Sequence, residues 1–425
     1  MNDAQADPGD RFEADKLPAA ATQSQTAGLL ASWIREHQDL QAGSPGAAGY
    51  DLSVGRYLKL DAQEQFDDAT VAALRQQRTT YWDVDFELPP LLAAKLRAEN
   101  GLEVDPRSEL LLTSGITPGI DTVLSAFLDP GDEVVTMDPD FVTSFGQVYA
   151  RGGRLVIAPA FLERRGVLDD TRWSFDPEGL ESAITPRTKL LLYTNPNNPM
   201  GYVYSAGDLR AIADIATRHG LVVIENQCYE RLVYSDSFAE TLRFTSLAAL
   251  PGMRDRVVTV QGVSKGYHLS GYRVGWIAAS APVIQTLAFA QMWGTFSVAP
   301  TITQFGVSAA MRMPLRQDYT RQALEIYRGN VDYLCATLAE IPEVECARPA
   351  GGPFCFMDVT GTGLSDVEIT QRLYAEGVRS TFGSPWGLRN GVNHVRLALS
   401  NSAEYHRRCV DALAAALRRI ISTRA

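Results

Sequence analysis

The stretch QGVSKGYHLSGYRVGW carries Lys265 between Ser264 and Gly266, and Arg273 follows eight residues later between Gly271 and Gly275. A lysine among small residues at a strand end can sit in a cramped, partly dry pocket, where its amine is a nucleophile towards carbonyls. An arginine close by offers a planar fork for a phosphate. A surface lysine and a salt-bridged arginine are the plainer readings of either residue alone. Four further stretches add to the pattern. TNPNNPMGYVY has two Asn-Pro steps that force an extended turn and could present the amides of Asn197 and Asn198 to a ligand oxygen. LLTSGITPGID puts Ser114, Gly115, Ile116 and Thr117 at a strand-to-helix junction, where free N–H groups favour an anion. DPDFVTSF offers Phe141 just past a strand tip, either as core or as a ring to stack on a flat cofactor. GLVVIENQCYERLVY ends a buried strand on Glu225 and Asn226.

The elements that must position these residues follow from periodicity. ELLLTSG, DEVVTMDPD, RLVIAPA, TKLLLYTNP, GLVVIEN, RVVTVQGVSK and VGWIAAS read as strands, and segments such as SAGDLRAIADIATRHG read as amphipathic helices with a glycine stop. This alternation predicts an α/β fold, a mostly parallel sheet with helices on both faces, where ligands bind at the strand tips. After about Met311 a long helical stretch leads into short strands and helices, CFMDVT, SDVEITQRLYAEG and HVRLALSN, which predict a smaller α+β domain. The expected organisation is a disordered N-terminus over 1–27, an N-terminal arm over 28–60 containing a short amphipathic helix, a large domain over 61–310, and an interdomain helix with the small domain over 311–425.

The 425 residues are 45% hydrophobic and 21% charged, ordinary for a soluble globular chain. A formal net charge of −11 without a Lys/Arg run argues against a nucleic-acid partner. No apolar run is long enough to cross a membrane, and the acidic start lacks the apolar core of a signal peptide. The five cysteines form no CxxC pair and no Cys/His cluster, which reads as reduced thiols in a cytoplasm with no metal site.

Together these stretches resemble the class I/II aminotransferases, the fold-type I enzymes that use pyridoxal 5′-phosphate, over roughly residues 50–415. The resemblance rests on S-K-x-x-x-x-x-G-x-R-x-G at Ser264 to Gly275, N-P-x-G at Asn198 to Gly201 and N-x-x-Y at Asn226 to Tyr229, in this order. It implies that Lys265 holds the cofactor as a Schiff base and then acts as base and acid at the substrate α-carbon. It assigns the phosphate to Arg273 and the backbone N–H groups of Gly115 and Ile116, stacking on the pyridine ring to Phe141, and the ring's phenolic oxygen to Asn198 and Tyr229. Arg396, in HVRLALSN, matches the arginine that grips the substrate α-carboxylate. Gly55, in YDLSVGR, matches an N-terminal loop that closes over the substrate. Tyr81, in TTYWDVD, matches a tyrosine that reaches the phosphate of the neighbouring subunit and so implies a homodimer with shared sites.

The pattern breaks at two places. The family carries an Asp where this chain has Asn226, and that acid keeps the pyridine nitrogen protonated. A neutral amide can only hydrogen-bond, so Asn226 should make the cofactor a weaker electron sink; a bulge could instead turn Glu225 to the ring. Gly262 stands where relatives carry a Ser or Thr that donates to the phosphate, and Met200 replaces a common Thr. Transamination of an α-amino acid is the first expected activity. The breaks keep open a second, in which a pyridoxal-phosphate lyase, cyclase or carbon–carbon bond-forming enzyme of secondary metabolism acts on S-adenosylmethionine or arginine. A ligand-sensing regulator is disfavoured by the short acidic stretch ahead of the fold. His268 is expected to be a packing residue.

Overall fold

The computed structural model describes residues 49–53, 58, 63–294, 299–312 and 315–423. The expected N-terminal disorder, the amphipathic helix of the arm and Gly55 lie outside the described residues. Fifteen strands are numbered here along the described chain: β1 (Tyr50–Asp51), β2 (Leu110–Thr113), β3 (Glu133–Met137), β4 (Arg154–Ala158), β5 (Phe161–Glu163), β6 (Trp173–Phe175), β7 (Thr188–Thr194), β8 (Val222–Asn226), β9 (Val257–Gly262), β10 (Gly275–Ala278), β11 (Glu345–Cys346), β12 (Phe354–Asp358), β13 (Val378–Arg379), β14 (Thr381–Phe382) and β15 (His394–Ala398).

The seven strands expected from the apolar runs form one sheet in the order β2-β10-β9-β8-β7-β3-β4. Strand β10 runs antiparallel to both neighbours, and the remaining pairings are parallel. Both faces are covered, which is why these strands read as continuous apolar runs. Side chains alternate across the sheet. Val135, Leu191, Tyr193, Val223 and Val257 enter one core with the helix Ala206–Arg218. Val134, Leu190, Leu192, Ile224, Val258 and Val260 enter the other, under the helix Ile116–Phe127.

The second sheet, β11-β12-β15-β14, packs with the helices Leu315–Leu338 and Ala403–Ser422 around a separate core that includes Val331, Leu334, Cys355, Leu397, Leu413 and Leu417. Strand β1 pairs in parallel with β13, and so ties the arm to this unit. The hairpin of β5 and β6 is not evident from periodicity, because each strand has three residues. It is anchored by fully buried Arg172, which pairs with Glu163 on β5 and with Glu345 and Asp358 of the second sheet. Three of the five cysteines, Cys335, Cys346 and Cys355, meet inside the second core with sulfurs within 4.8 Å of one another, a proximity their sequence spacing does not reveal. No described helix is long and apolar enough to cross a membrane.

Candidate active site

The tips of β2, β7, β8 and β9 converge with one edge of the second sheet. Strand β9 ends in Gly262 and passes straight into the short helix Val263–Gly266, which puts half-buried Lys265 one turn beyond the sheet. Its charge acts on the Cys228 thiol and the His268 ring, so all three share this space. Burial pushes the Cys228 thiol up to about 11 and the His268 imidazole down to about 4. His268 stacks on Tyr327 at 5.9 Å between centroids and lies edge-on to Tyr319, the packing role expected for it.

Gly115 caps the twelve-residue helix Ile116–Phe127 at φ +103°, a conformation that favours glycine. A Cβ there would lie 2.7 Å from Arg273 Nη2, so the arginine occupies the space a side chain would fill. Arg273 is exposed and held by the carbonyls of Ser270 (2.9 Å) and Ser114 (3.3 Å). Its guanidinium therefore lies against Gly115 at the start of the helix, where the first backbone N–H groups have no partner within the helix, an arrangement suited to an anion. Gly262 has room for no donor without adjustment, because a Cβ would meet Ile116 Cγ1 and the Val274 carbonyl, each at 3.1 Å.

On the other side of Lys265 a hydrogen-bonded chain links three expected site residues. Asn198 Nδ2 donates to the Tyr229 hydroxyl at 3.0 Å, and Asn198 Oδ1 accepts from Arg396 Nη1 at 3.2 Å. Arg396 Nη2 donates to the Ser53 carbonyl at 2.9 Å, next to the segment that holds Gly55. The guanidinium is sandwiched between the rings of Phe354 (4.0 Å) and Trp386 (4.3 Å), whose contribution has no signal in sequence spacing. Phe141, half-buried at the start of the helix Val142–Ala150, lies 6.1 Å from Trp386 between centroids. The Trp386 loop is bound to the β3 tip, because Asp140 N donates to the Trp386 carbonyl and Asp138 accepts from Arg389 N and Asn390 N.

The register of β8 separates Glu225 from Asn226. Glu225 pairs with Tyr193 and Asn226 with Thr194, without a bulge. Glu225 therefore enters the core on the Tyr193 side. There it accepts from the Tyr193 hydroxyl (2.9 Å), Ser246 Oγ (3.0 Å) and Leu247 N (2.9 Å), and burial raises its carboxyl pKa. Asn226 points to the opposite face, the side of the anion cradle. It donates to Thr194 Oγ1 at 3.3 Å and accepts from Cys228 N at 3.2 Å. A buried acid that sequence spacing does not mark, Asp140, stands behind Thr194. It accepts from Thr194 N (3.0 Å) and Phe141 N (2.6 Å), and burial pushes its carboxyl up to about 7.

Of the eleven residues expected to do chemistry, nine line this region. Tyr81 lies instead on an exposed surface, 69% accessible, near exposed Trp82 and Phe86. Gly55 lies outside the described residues.

Solved structures share this architecture. The aromatic aminotransferase of Pyrococcus horikoshii superimposes with a TM-score of 0.79 at 26% identity, covering 90% of this chain and 99% of that one. The Thermus thermophilus aspartate aminotransferase bound to maleate gives 0.76 at 27% identity, over 94% of this chain and 100% of that one. The fold is thus that of the fold-type I pyridoxal-phosphate enzymes. A probable aspartate/prephenate aminotransferase of Thermus aquaticus is 32% identical over 360 residues, 84% of this chain and 88% of that protein. The family model of aminotransferase class I and II matches residues 48–413, and the chain belongs to that family. It is an enzyme of the aminotransferase type.

Proposed function

We propose that the chain transfers the amino group of an α-amino acid using pyridoxal 5′-phosphate held at Lys265. The observation that carries this reading is the chain Tyr229–Asn198–Arg396, which sets an anchor for a phenolic oxygen and an anchor for a carboxylate one residue apart. The cradle at Gly115, where a Cβ would displace Arg273, fits the cofactor's phosphate. Bound pyridoxal phosphate supplies electron withdrawal from the substrate's α-carbon.

The protein's own groups do the rest. Arg273 and the N–H groups of Gly115 and Ile116 neutralise the phosphate. Phe141 covers a ring face, and Tyr229 and Asn198 hold the phenolic oxygen. Arg396 is kept flat by Phe354 and Trp386 and receives the α-carboxylate in a bidentate pair. Lys265 Nζ takes the proton from the substrate's α-carbon and holds it as an ammonium until it is returned. Support for a homodimer comes from Tyr81, Trp82 and Phe86, large aromatics exposed together on one stretch, as an interface requires. A cytoplasmic setting agrees with five free thiols. The large sheet and the second sheet are taken as the two domains, divided near residue 311.

The test compares α-amino acids with amines that lack the carboxylate. Arg396→Ala removes two charged hydrogen bonds to the carboxylate and should cut kcat/KM for the amino acid by about 100- to 1,000-fold, with a loss of less than about tenfold for the amine, which feels only the lost support of Asn198. Lys265→Ala should abolish both the turnover and the borohydride-reducible link to the cofactor. Equal losses for amino acid and amine in the Arg396 variant would sink the assignment.

A further inference from the structure

We propose that Cys335, Cys346 and Cys355 form a binding site for a trivalent, thiophilic centre of the arsenite type, held by three sulfur bonds. The site does not depend on the reaction proposed at Lys265.

The three residues come from three segments. Cys335 lies near the end of the helix Leu315–Leu338, Cys346 ends β11, and Cys355 lies in β12. Strand β11 pairs antiparallel with β12 and sets Cys346 opposite Met357, so Cys355 is the next residue along on the same face. The helix covers that face, and all three sulfurs stand within 4.8 Å of one another. Three sulfurs bonded to one centre at about 2.3 Å, the length of a zinc–thiolate bond, stand roughly 4 Å apart. Closing the group onto a bound centre therefore needs a shift of no more than about 1 Å.

The surroundings of the sulfurs decide which centre fits. Among the described residues no histidine or carboxylate joins the group, so the ligand set is purely soft. Cys346 and Cys355 are buried in an apolar core with Val331, Leu334, Met357 and Leu413. Arg348, two residues past Cys346, is already paired with Asp332. Three thiolates carry three negative charges. A monovalent or divalent ion would leave part of that charge uncompensated in the core, at a heavy desolvation cost, whereas a trivalent centre leaves none. Arsenite also arrives uncharged, as As(OH)3. Each thiol gives its proton to one hydroxyl, an As–S bond replaces an As–O bond, and three waters leave. Arsenic stays trivalent and no electrons are exchanged.

The group is reachable. Cys335 is half-buried, and the Asp332–Arg348 pair, one helical turn before it, stands at the surface. The site is also separate from the candidate active site. Cys355 points to the opposite face of β12 from Phe354, the ring that clamps Arg396.

Native mass spectrometry of the full, cofactor-loaded protein, reduced and then exposed to sodium arsenite, tests this. The wild type should gain one arsenic and lose three hydrogens. Cys335→Ala, at a helix position that suits alanine, should keep at most a two-bond adduct that retains a hydroxyl on arsenic. It should also bind arsenite at least about 100-fold more weakly by As–S absorbance, the loss of one of three linked bonds. Cys346→Ala should behave the same way and guards against an effect confined to the helix. Cys409→Ala removes a buried thiol of the same core from outside the group and should behave like the wild type. A wild type with no adduct, or with a two-bond adduct only, overturns the proposal. So does a three-bond adduct that survives Cys335→Ala or Cys346→Ala. The thiols would then be packing groups alone.

Discussion

Asn226→Asp places at the β8 tip the acid that the rest of the family pattern expects, and its cost can be estimated from its neighbour. Asn226 is 2% exposed and has one backbone donor, Cys228 N. Asp140 is equally buried and has two backbone donors, yet burial still pushes its carboxyl up to about 7. An introduced carboxyl would have one backbone donor fewer than Asp140 in an equally buried place, so its pKa should be raised to about 7 or beyond. A carboxyl whose pKa is raised on folding stabilises the protein fully only below its unfolded value, near 4, and that stability is lost as the pH climbs towards 7. Three units correspond to about 4 kcal/mol, of which about 2 kcal/mol falls between pH 5.5 and 8.5.

The cofactor should reverse the effect. A pyridinium at about 3 Å from the carboxylate contributes about 5 kcal/mol at an effective dielectric of 20, enough to ionise the acid and protonate the ring. Urea unfolding of cofactor-free and cofactor-loaded protein at the two pH values reads both terms. The cofactor-free variant should lose stability with pH relative to the wild type, and pyridoxal phosphate should restore most of it while the visible band moves to the protonated-nitrogen form. Identical pH dependence of the two cofactor-free proteins, with equal stabilisation by the cofactor, would refute the placement of this side chain.

Asp140 supplies a second pH test, with the sign worked the same way. Its raised pKa means that the wild type loses stability as the pH rises from about 4 to 7, so Asp140→Ala, which has no group to titrate, should lack that part of the pH dependence, up to about 4 kcal/mol; calorimetry across that range checks it, and an unchanged slope contradicts it. Tyr81→Phe should leave a dimer in sedimentation equilibrium yet weaken pyridoxal phosphate binding about tenfold, the loss of one hydrogen bond to a charged group. A monomeric wild-type protein, or unchanged affinity, removes Tyr81 from the shared site.

The extent to which this protein is legible in its sequence follows from the range of each interaction. The seven strands of the large sheet are short apolar runs set between helical patterns and turn residues, a local signal, and they appear in the sheet where periodicity puts them. The lysine, the arginines and the paired asparagines occur at spacings that the chain itself displays. Strands of two or three residues, such as β5, β6 and β14, have no periodicity to read and exist because the surrounding packing supplies their partners.

The residues themselves prescribed an α/β sheet, an amine at a strand end, an anion site at a helix start, and an amide in place of an acid. Tertiary structure alone decided which way that amide points. Strand alternation puts Glu225 and Asn226 on opposite faces, but only the unbulged pairing with β7 rules out a swap. Asp140, Thr194 and Asn226 come from three segments of the chain, and no spacing could announce that they form one hydrogen-bonded line. The same holds for the clamp of Phe354 and Trp386 on Arg396. Periodicity is written in neighbouring residues, whereas the polarity of a buried site is set by which donors and acceptors the folded chain brings within 3 Å or so of each other.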